Sequence, residues 1–349
     1  MPPPTLTSDF DYHLPPEMIA QAPMEQRDHS RLLTLNRVSG QVGHRRFFDL
    51  PELLRPGDLL VFNDSRVFPA RLLGRREPSG REIELLLLTR LGEGRWRSLV
   101  RPGRRMREGA EFTVADSGGV IEARGWVAAV EESGARVVSF EDESLLRDVG
   151  AVPLPPYIHE TLNDAERYQT VYAKVEGSAA APTAGLHFTD DLLDTLRRMD
   201  VEQAFVTLHV GWDSFRPVKS DLANEHTMHS EYWELSDTSA DMINSAKSEG
   251  RRVISVGTTA VRLLENAALL GSETGDVLKP GSGWVDLFIT PGFRFKAIDG
   301  LVTNFHLPRS TLLMLVSAFA GRENVLSAYR EAVEQGYRFY SFGDAMFIA

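Results

Sequence analysis

The chain has 349 residues, 42% of them hydrophobic and 25% charged, with 38 Lys+Arg against 49 Asp+Glu and a net charge of −11. At about 150 residues per domain that is room for two domains with real cores, and the acidic balance excludes broad non-specific attraction to nucleic acid. With no cysteine, disulfides, thiolate metal sites, iron–sulfur clusters and a thiol nucleophile are excluded.

The opening Met1-Pro-Pro-Pro-Thr-Leu-Thr has no basic flank before an apolar stretch, and the longest strongly apolar run, 312–320, is too short to span a bilayer. A cytoplasmic protein that makes no membrane contact is expected. The first clear strand is 59–62, Leu-Leu-Val-Phe, ending in Asn63-Asp-Ser-Arg66. From there to about 149 the texture is short β runs broken by glycine turns. Residues 82–90 and 95–100 read as a hairpin, followed by strands at 111–114, 120–124 and 136–140. That pattern predicts a small antiparallel barrel or sandwich, ending near the proline-rich 152–156.

Beyond it the texture is β/α. A helix is predicted over 188–200 with Thr189 as its N-cap, then a strand at 204–210. Residues 239–249 predict a helix closed by Gly250, and 252–256 a buried strand running through Gly257-Thr-Thr into a helix over 260–270. A strand at 286–290, a helix at 312–320 capped by Ser310 or Thr311, and a last helix at 324–335 complete the series. The fold class expected is therefore α/β: a discontinuous α/β domain, 1–65 plus 155–349, with an inserted antiparallel β-barrel-like domain at 66–154.

Charge is unevenly spread. Residues 66–111 hold twelve Arg and six Glu, so one basic segment on an acidic protein either docks a polyanion or simply solvates a strand face. Elsewhere, small residues from Gly177 to Gly185 let the backbone pass close to something flat or bulky, and Gly185 with the helix start near 188 offers N–H donors beside His187. The turn Val256-Gly-Thr-Thr-Ala260 has strand–turn–helix context but neither a dinucleotide fingerprint nor a P-loop, so Thr258 and Thr259 read first as helix caps. Asn304-Phe-His-Leu-Pro-Arg-Ser-Thr311 places His306 and Arg309 on a loop ahead of an apolar helix. His226 and His229 are spaced i, i+3 with Glu225 and Glu231 nearby, but lack a third ligand, so no metal site is expected. No serine-hydrolase elbow is present. These residues alone give an α/β enzyme with a Gly-, Thr- and His-rich pocket and no named substrate.

Taken together, the blocks at 10–23, 27–31, 63–71, 153–158, 168–172, 180–189, 208–211, 256–259, 303–311 and 337–346 resemble the bacterial tRNA S-adenosylmethionine ribosyltransferase-isomerases of queuosine biosynthesis. One departure stands out. Where that family continues Leu208-His-Val-Gly211 with a Gly-Thr-Phe pattern, this chain reads Trp212-Asp-Ser-Phe215, so Asp213 adds a Cβ and a charge while Ser214 keeps the hydroxyl. The resemblance implies S-adenosylmethionine as a co-substrate with no further cofactor, and a tRNA with a GUN anticodon whose wobble base is 7-aminomethyl-7-deazaguanine. The products implied are epoxyqueuosine-tRNA, adenine and methionine. A tRNA methyltransferase and a non-catalytic RNA-binding protein are the alternatives, and a monomer is expected. Under the resemblance, His187 or His306 transfers protons. Thr183, Gly185, Gly257, Thr258, Thr259, Asn304 and Ser310 hold the donor, and Arg309 binds a carboxylate or phosphate. Asp64, Asp344 or Glu231 contacts the aminomethyl cation or ribose, and Arg66, Arg101, Arg104 and Arg105 hold tRNA phosphates.

Overall fold

The computed structural model describes residues 5–116, 118–160, 162–211, 218, 220–226, 228, 230–271 and 277–349. The chain divides into two compact units, Met1–Ser65 with Pro156–Val175 and Ala181–Ala349, and Arg66–Pro155 with Glu176–Ala180.

The first unit is built on a nine-stranded mixed sheet. From edge to edge its order is Gly281–Val285, Glu231–Leu235, Glu202–Leu208, Leu59–Asn63, Val253–Val256, Gly300–Asn304, Ala345–Ile348, Arg31–Leu35 and Val42–Arg46. The four strands from Glu202–Leu208 to Gly300–Asn304 are mutually parallel. Three of them, Leu59–Asn63, Val253–Val256 and Gly300–Asn304, are buried at every residue. That is the reason they read as continuous apolar runs rather than alternating ones. One hydrophobic cluster joins Leu60, Phe62, Ile254 and Val302 to Leu192, Leu193 and Leu196 of the helix Asp190–Arg198 and to Phe47 and Phe188. Thr189 caps that helix, accepting from the amide of Leu192 at 3.1 Å, as its sequence predicts. The helices Asp237–Ser248 and Thr258–Gly271 also lie against the parallel strands.

The second unit is a closed six-stranded antiparallel barrel. Arg71–Arg76 pairs with Arg81–Gly92 on one side and Glu111–Ala115 on the other, and Arg95–Arg101, Arg136–Phe140 and Glu122–Val130 complete the circuit. Its core alternates along each strand, with Leu72, Ile83, Leu85, Val114, Val127 and Val138 inside.

Three expectations shift. The strand placed at 120–124 runs over Glu122–Val130. The strand placed at 286–290 lies instead at Gly281–Val285, on the sheet's edge. Residues 286–290 are irregular: Ile289 is buried, Leu287 and Phe288 are partly buried, and the Leu287 carbonyl accepts from Arg262 Nε at 3.1 Å. Finally, the helix after Gly257 begins at Thr258 and includes both threonines, so they open it rather than cap it.

Candidate functional site

In an open α/β sheet the ligand crevice lies beyond the carboxyl ends of the parallel strands, where loops from neighbouring strands converge. A cleft lies there in the first unit, lined by Pro182, Thr183, Val210, Gly257, Thr258, Thr259, Arg262, Thr303, Asn304, His306 and Tyr340. It encloses about 590 Å³ of empty space, open solvent at its mouth included. Val253–Val256 delivers the chain to Gly257, whose φ of +90° is a left-handed conformation that other residues adopt only with strain. The helix Thr258–Gly271 then starts at the cleft wall, and the first-turn amides of a helix have no intrahelical partner. Asn63 fixes two of the ends: its Nδ2 donates to the Leu208 carbonyl at 2.9 Å and to Thr259 Oγ1 at 3.3 Å, and its Oδ1 accepts from the Leu208 amide at 3.0 Å.

Four polar side chains form a continuous line from this wall into the core. Thr183 Oγ1 donates to Asn304 Oδ1 at 2.9 Å, Asn304 Nδ2 lies 3.0 Å from His187 Nε2, and His187 Nδ1 lies 2.8 Å from Ser30 Oγ. With the Asn304 oxygen occupied by Thr183, its NH₂ faces the imidazole, so Nε2 accepts and Nδ1 carries the hydrogen. The ring stacks on Phe47, with centroids 4.9 Å apart. Burial, helped by the positive fields of Arg338 and Arg27, pushes the His187 pKa down to about 3. His187 is therefore neutral, and its lone pair is already engaged.

His306 lines the cleft itself. Its Nε2 lies 2.9 Å from Thr303 Oγ1, its amide donates to Tyr329 Oη at 3.0 Å, and its carbonyl accepts from Tyr12 Oη at 2.5 Å. Burial pushes its pKa down to about 3 as well. Among the described residues its Nδ1 has no hydrogen-bond partner. Of the two imidazoles, His306 is the one with a ring nitrogen left for a ligand.

Several expected site residues do other work. Gly185 is buried, its amide donates to the Pro182 carbonyl at 2.8 Å, and a Cβ on it would sit 1.9 Å from Tyr172 Oη. The bulky object that the small residues accommodate is thus Tyr172, and the Gly185 amide is not offered to an anion. Glu231 is buried in an ion pair with Arg262 and accepts from the Gly211 amide at 2.7 Å, so its carboxylate is already committed to a cation of the protein at the cleft wall. Asp344 accepts from the amides of Arg31 and Arg338, each at 2.8 Å, which makes it a staple between two backbone segments. Asp64 lies outside the cleft lining and accepts from Thr207 Oγ1 at 2.7 Å. Arg309 is exposed, its fork closed on Asp11. Ser310 caps the helix Thr311–Ala320 through the amide of Leu313.

In the barrel unit, Arg101, Arg104 and Arg105 are exposed and form no ion pair among the described residues, unlike Arg71, Arg90 and Arg97, which are neutralised by Glu84, Glu143 and Glu131. Arg66 is half-buried. His229 and the 212–215 departure lie outside the described residues. Arg262 and Tyr340 are cleft residues that the sequence reading missed. A lone Arg in the apolar Ala260-Val-Arg-Leu-Leu264 and a φ of +74° at Tyr340 mark them, but only the first is visible in a sequence.

The model of the queuosine biosynthesis protein family matches residues 7–348. The chain belongs to that family. Family members named S-adenosylmethionine:tRNA ribosyltransferase-isomerase include one from Moorella thermoacetica, 56% identical over 97% of this chain and 98% of that one. Another, from Symbiobacterium thermophilum, is 55% identical over 98% and 99% of the two chains. Among solved structures, the S-adenosylmethionine tRNA ribosyltransferase of Thermotoga maritima is 39% identical, covers 98% of this chain and all of its own, and superposes with a TM-score of 0.56. None of the helices among the described residues is long and apolar enough to cross a membrane.

Proposed function

We infer that this chain is an S-adenosylmethionine:tRNA ribosyltransferase-isomerase. The observation that carries the reading is its end-to-end likeness, at 52–56% identity, to family members bearing that name. The cleft suits the chemistry, since it offers neutral hydrogen-bonding groups and a neutral imidazole, and a sulfonium nucleoside brings its own positive charge. We propose that the Gly257–Thr259 turn, Thr183 and Asn304 hold the donor nucleoside, and that His306 moves protons at the sugar. His187 acts behind Asn304 as a positioning residue.

In the reaction proposed, the sulfonium acidifies C5′ and a base removes a proton there. The amine of the 7-aminomethyl-7-deazaguanine attacks C1′, losing a proton, and adenine departs carrying one. The nitrogen then breaks the C1′–O4′ bond, leaving an iminium at C1′ and an alkoxide on C4′, and the C5′ carbanion adds to C1′ to close the five-carbon ring. An alkoxide then closes the epoxide as methionine leaves as a neutral thioether, giving epoxyqueuosine-tRNA. No cofactor beyond the co-substrate is invoked. Arg66, Arg101, Arg104 and Arg105 are assigned to phosphates of a GUN-anticodon tRNA, bound by a cytoplasmic monomer. Mass spectrometry of the wobble nucleoside after incubation of purified protein with S-adenosylmethionine and aminomethyl-modified tRNA tests the reading. A nucleoside heavier by the rearranged pentose supports it. A methyl increment would transfer the case to a methyltransferase, and an unchanged nucleoside to a binding protein.

A further inference from the structure

Three of the sequence blocks that the reaction leaves without a role meet at one place. Arg27 and Ser30 come from the 27–31 block, Arg167 stands beside the 168–172 block, and Arg338 and Ser341 belong to the 337–346 block. With His187 they line a second, smaller cleft of the first unit, about 280 Å³ of empty space including its open mouth. Ser341 lines both this cleft and the larger one, so the two are neighbours across that residue.

The three guanidinium groups are half-buried, and none forms an ion pair among the described residues. Their hydrogen bonds go to backbone carbonyls: Arg27 to Leu186 at 3.2 Å and Glu166 at 2.9 Å, Arg167 to Glu25 at 2.9 Å and to Met24, and Arg338 to Ala22 at 3.1 Å and Phe342 at 2.7 Å. Carbonyl dipoles orient a guanidinium without cancelling its charge, and each group has five N–H donors to place. Arg167 Nε–H is buried with no acceptor among the described residues. The acids that act on the cluster are few. Asp164 and Glu166 attract Arg27 from exposed positions, and Asp344 attracts both Arg338 and Arg31 while accepting from their two backbone amides. Burial and the charge of Arg167 lower the Arg27 pKa by more than Asp164 and Glu166 raise it, so the surrounding acids do not offset the cost of holding the cations together. Like charges placed so are costly unless an anion completes them.

We propose that Arg27, Arg167 and Arg338 form a binding site for a substrate oxyanion, next to the reaction cleft and distinct from its hydrogen-bonding wall. The chemistry recognised is a planar or tetrahedral group of anionic oxygens, which suits the bidentate fork of arginine. Resting on the function inferred above, that oxyanion has two sources: the carboxylate of the methionyl moiety of the donor, or a phosphodiester flanking the modified base.

The test uses the whole protein, wild type and Arg167→Gln, with Arg167→Lys as a charge-retaining variant, each first checked for an unchanged cooperative melt. Sodium sulfate against sodium chloride at matched ionic strength reads oxyanion binding independently of the enzyme's identity. The wild-type melting temperature is expected to rise more with sulfate than that of Arg167→Gln, with Arg167→Lys between them. Binding of S-adenosylmethionine, of its decarboxylated analogue and of tRNA transcript then separates the sources. For the carboxylate, Arg167→Gln weakens S-adenosylmethionine at least tenfold and leaves the decarboxylated analogue unchanged. For a phosphate, tRNA binding weakens at least tenfold and the slope of log affinity against log salt flattens by about one. Folded variants that respond to sulfate as the wild type does, and bind both substrates as tightly, overturn the proposal and leave the arginines as a loop clamp. If the wild type binds neither substrate yet keeps its sulfate response, the site stands and the functional reading falls instead.

Discussion

Asn304 Nδ2 sits 3.0 Å from His187 Nε2, and this pairing sorts the two candidate histidines into different jobs. It joins a side chain of the cleft wall to one in the core, 117 positions earlier in the chain. Asn304→Ala would leave His187 with a buried nitrogen and no donor, at about 1–3 kcal/mol in stability. Chemical denaturation should show that loss, and turnover should fall with it because Thr183 also loses its partner. A variant as stable and as active as the wild type would mean that the line of hydrogen bonds is incidental.

His306 gives a pH prediction. Its folded pKa of about 3 lies below the ordinary imidazole value of 6.5, so between those values the unfolded chain binds the extra proton. Its contribution to stability is full above pH 6.5 and is lost as pH falls toward 3. Asp344, Glu265 and Asp64, whose pKa values burial raises, act with the opposite sign, and they are common to wild type and variant. Urea midpoints at pH 7.5 and 4.5 should therefore fall further for wild type than for His306→Gln. Parallel midpoints at both pH values would show that His306 is not held neutral.

Gly185 and Tyr172 make a steric pair. A methyl at 185 would overlap Tyr172 Oη, which is itself buried without a hydrogen-bond partner among the described residues. Gly185→Ala should cost about 1–3 kcal/mol or more by overpacking. Adding Tyr172→Phe should return part of that loss, read as a favourable coupling in a double-mutant cycle. Strict additivity would place the strain elsewhere.

The buried Arg262–Glu231 pair supplies a fourth prediction. Glu231→Gln leaves the guanidinium without its counter-charge and should cost about 3–5 kcal/mol by denaturant unfolding. A loss below about 1 kcal/mol would mean that water already reaches the pair.

What was readable in the sequence follows from what each segment has to bury. Leu59–Asn63 and Val253–Val256 are covered on both faces, so their apolar runs announced them. Val42–Arg46 is an outer strand with three exposed residues, His44, Arg45 and Arg46, and its Val-Gly-His-Arg-Arg carries no strand pattern. Gly281–Val285 is hidden for the same reason, while the apolar 286–290 beside it reads as a strand although it forms no strand pairing among the described residues. At the site, the Gly257-Thr-Thr turn was visible because its strand–turn–helix context is local, while Asn304 entered only through the family resemblance. The partners that decide roles were not. Thr183 meets Asn304 across 121 positions and Arg262 meets Glu231 across 31, and spacing along the chain carries no trace of either.

The central claim is that the sugar of a sulfonium nucleoside, held in the cleft beside His306, moves to the RNA base. Incubating the purified protein with S-adenosylmethionine labelled in its ribose and with aminomethyl-modified tRNA measures that transfer directly. Radioactivity should pass to the tRNA in step with one equivalent of released adenine, and His306→Gln should slow both together. Label reaching the RNA only from the S-methyl group, or no adenine set free, would contradict the account.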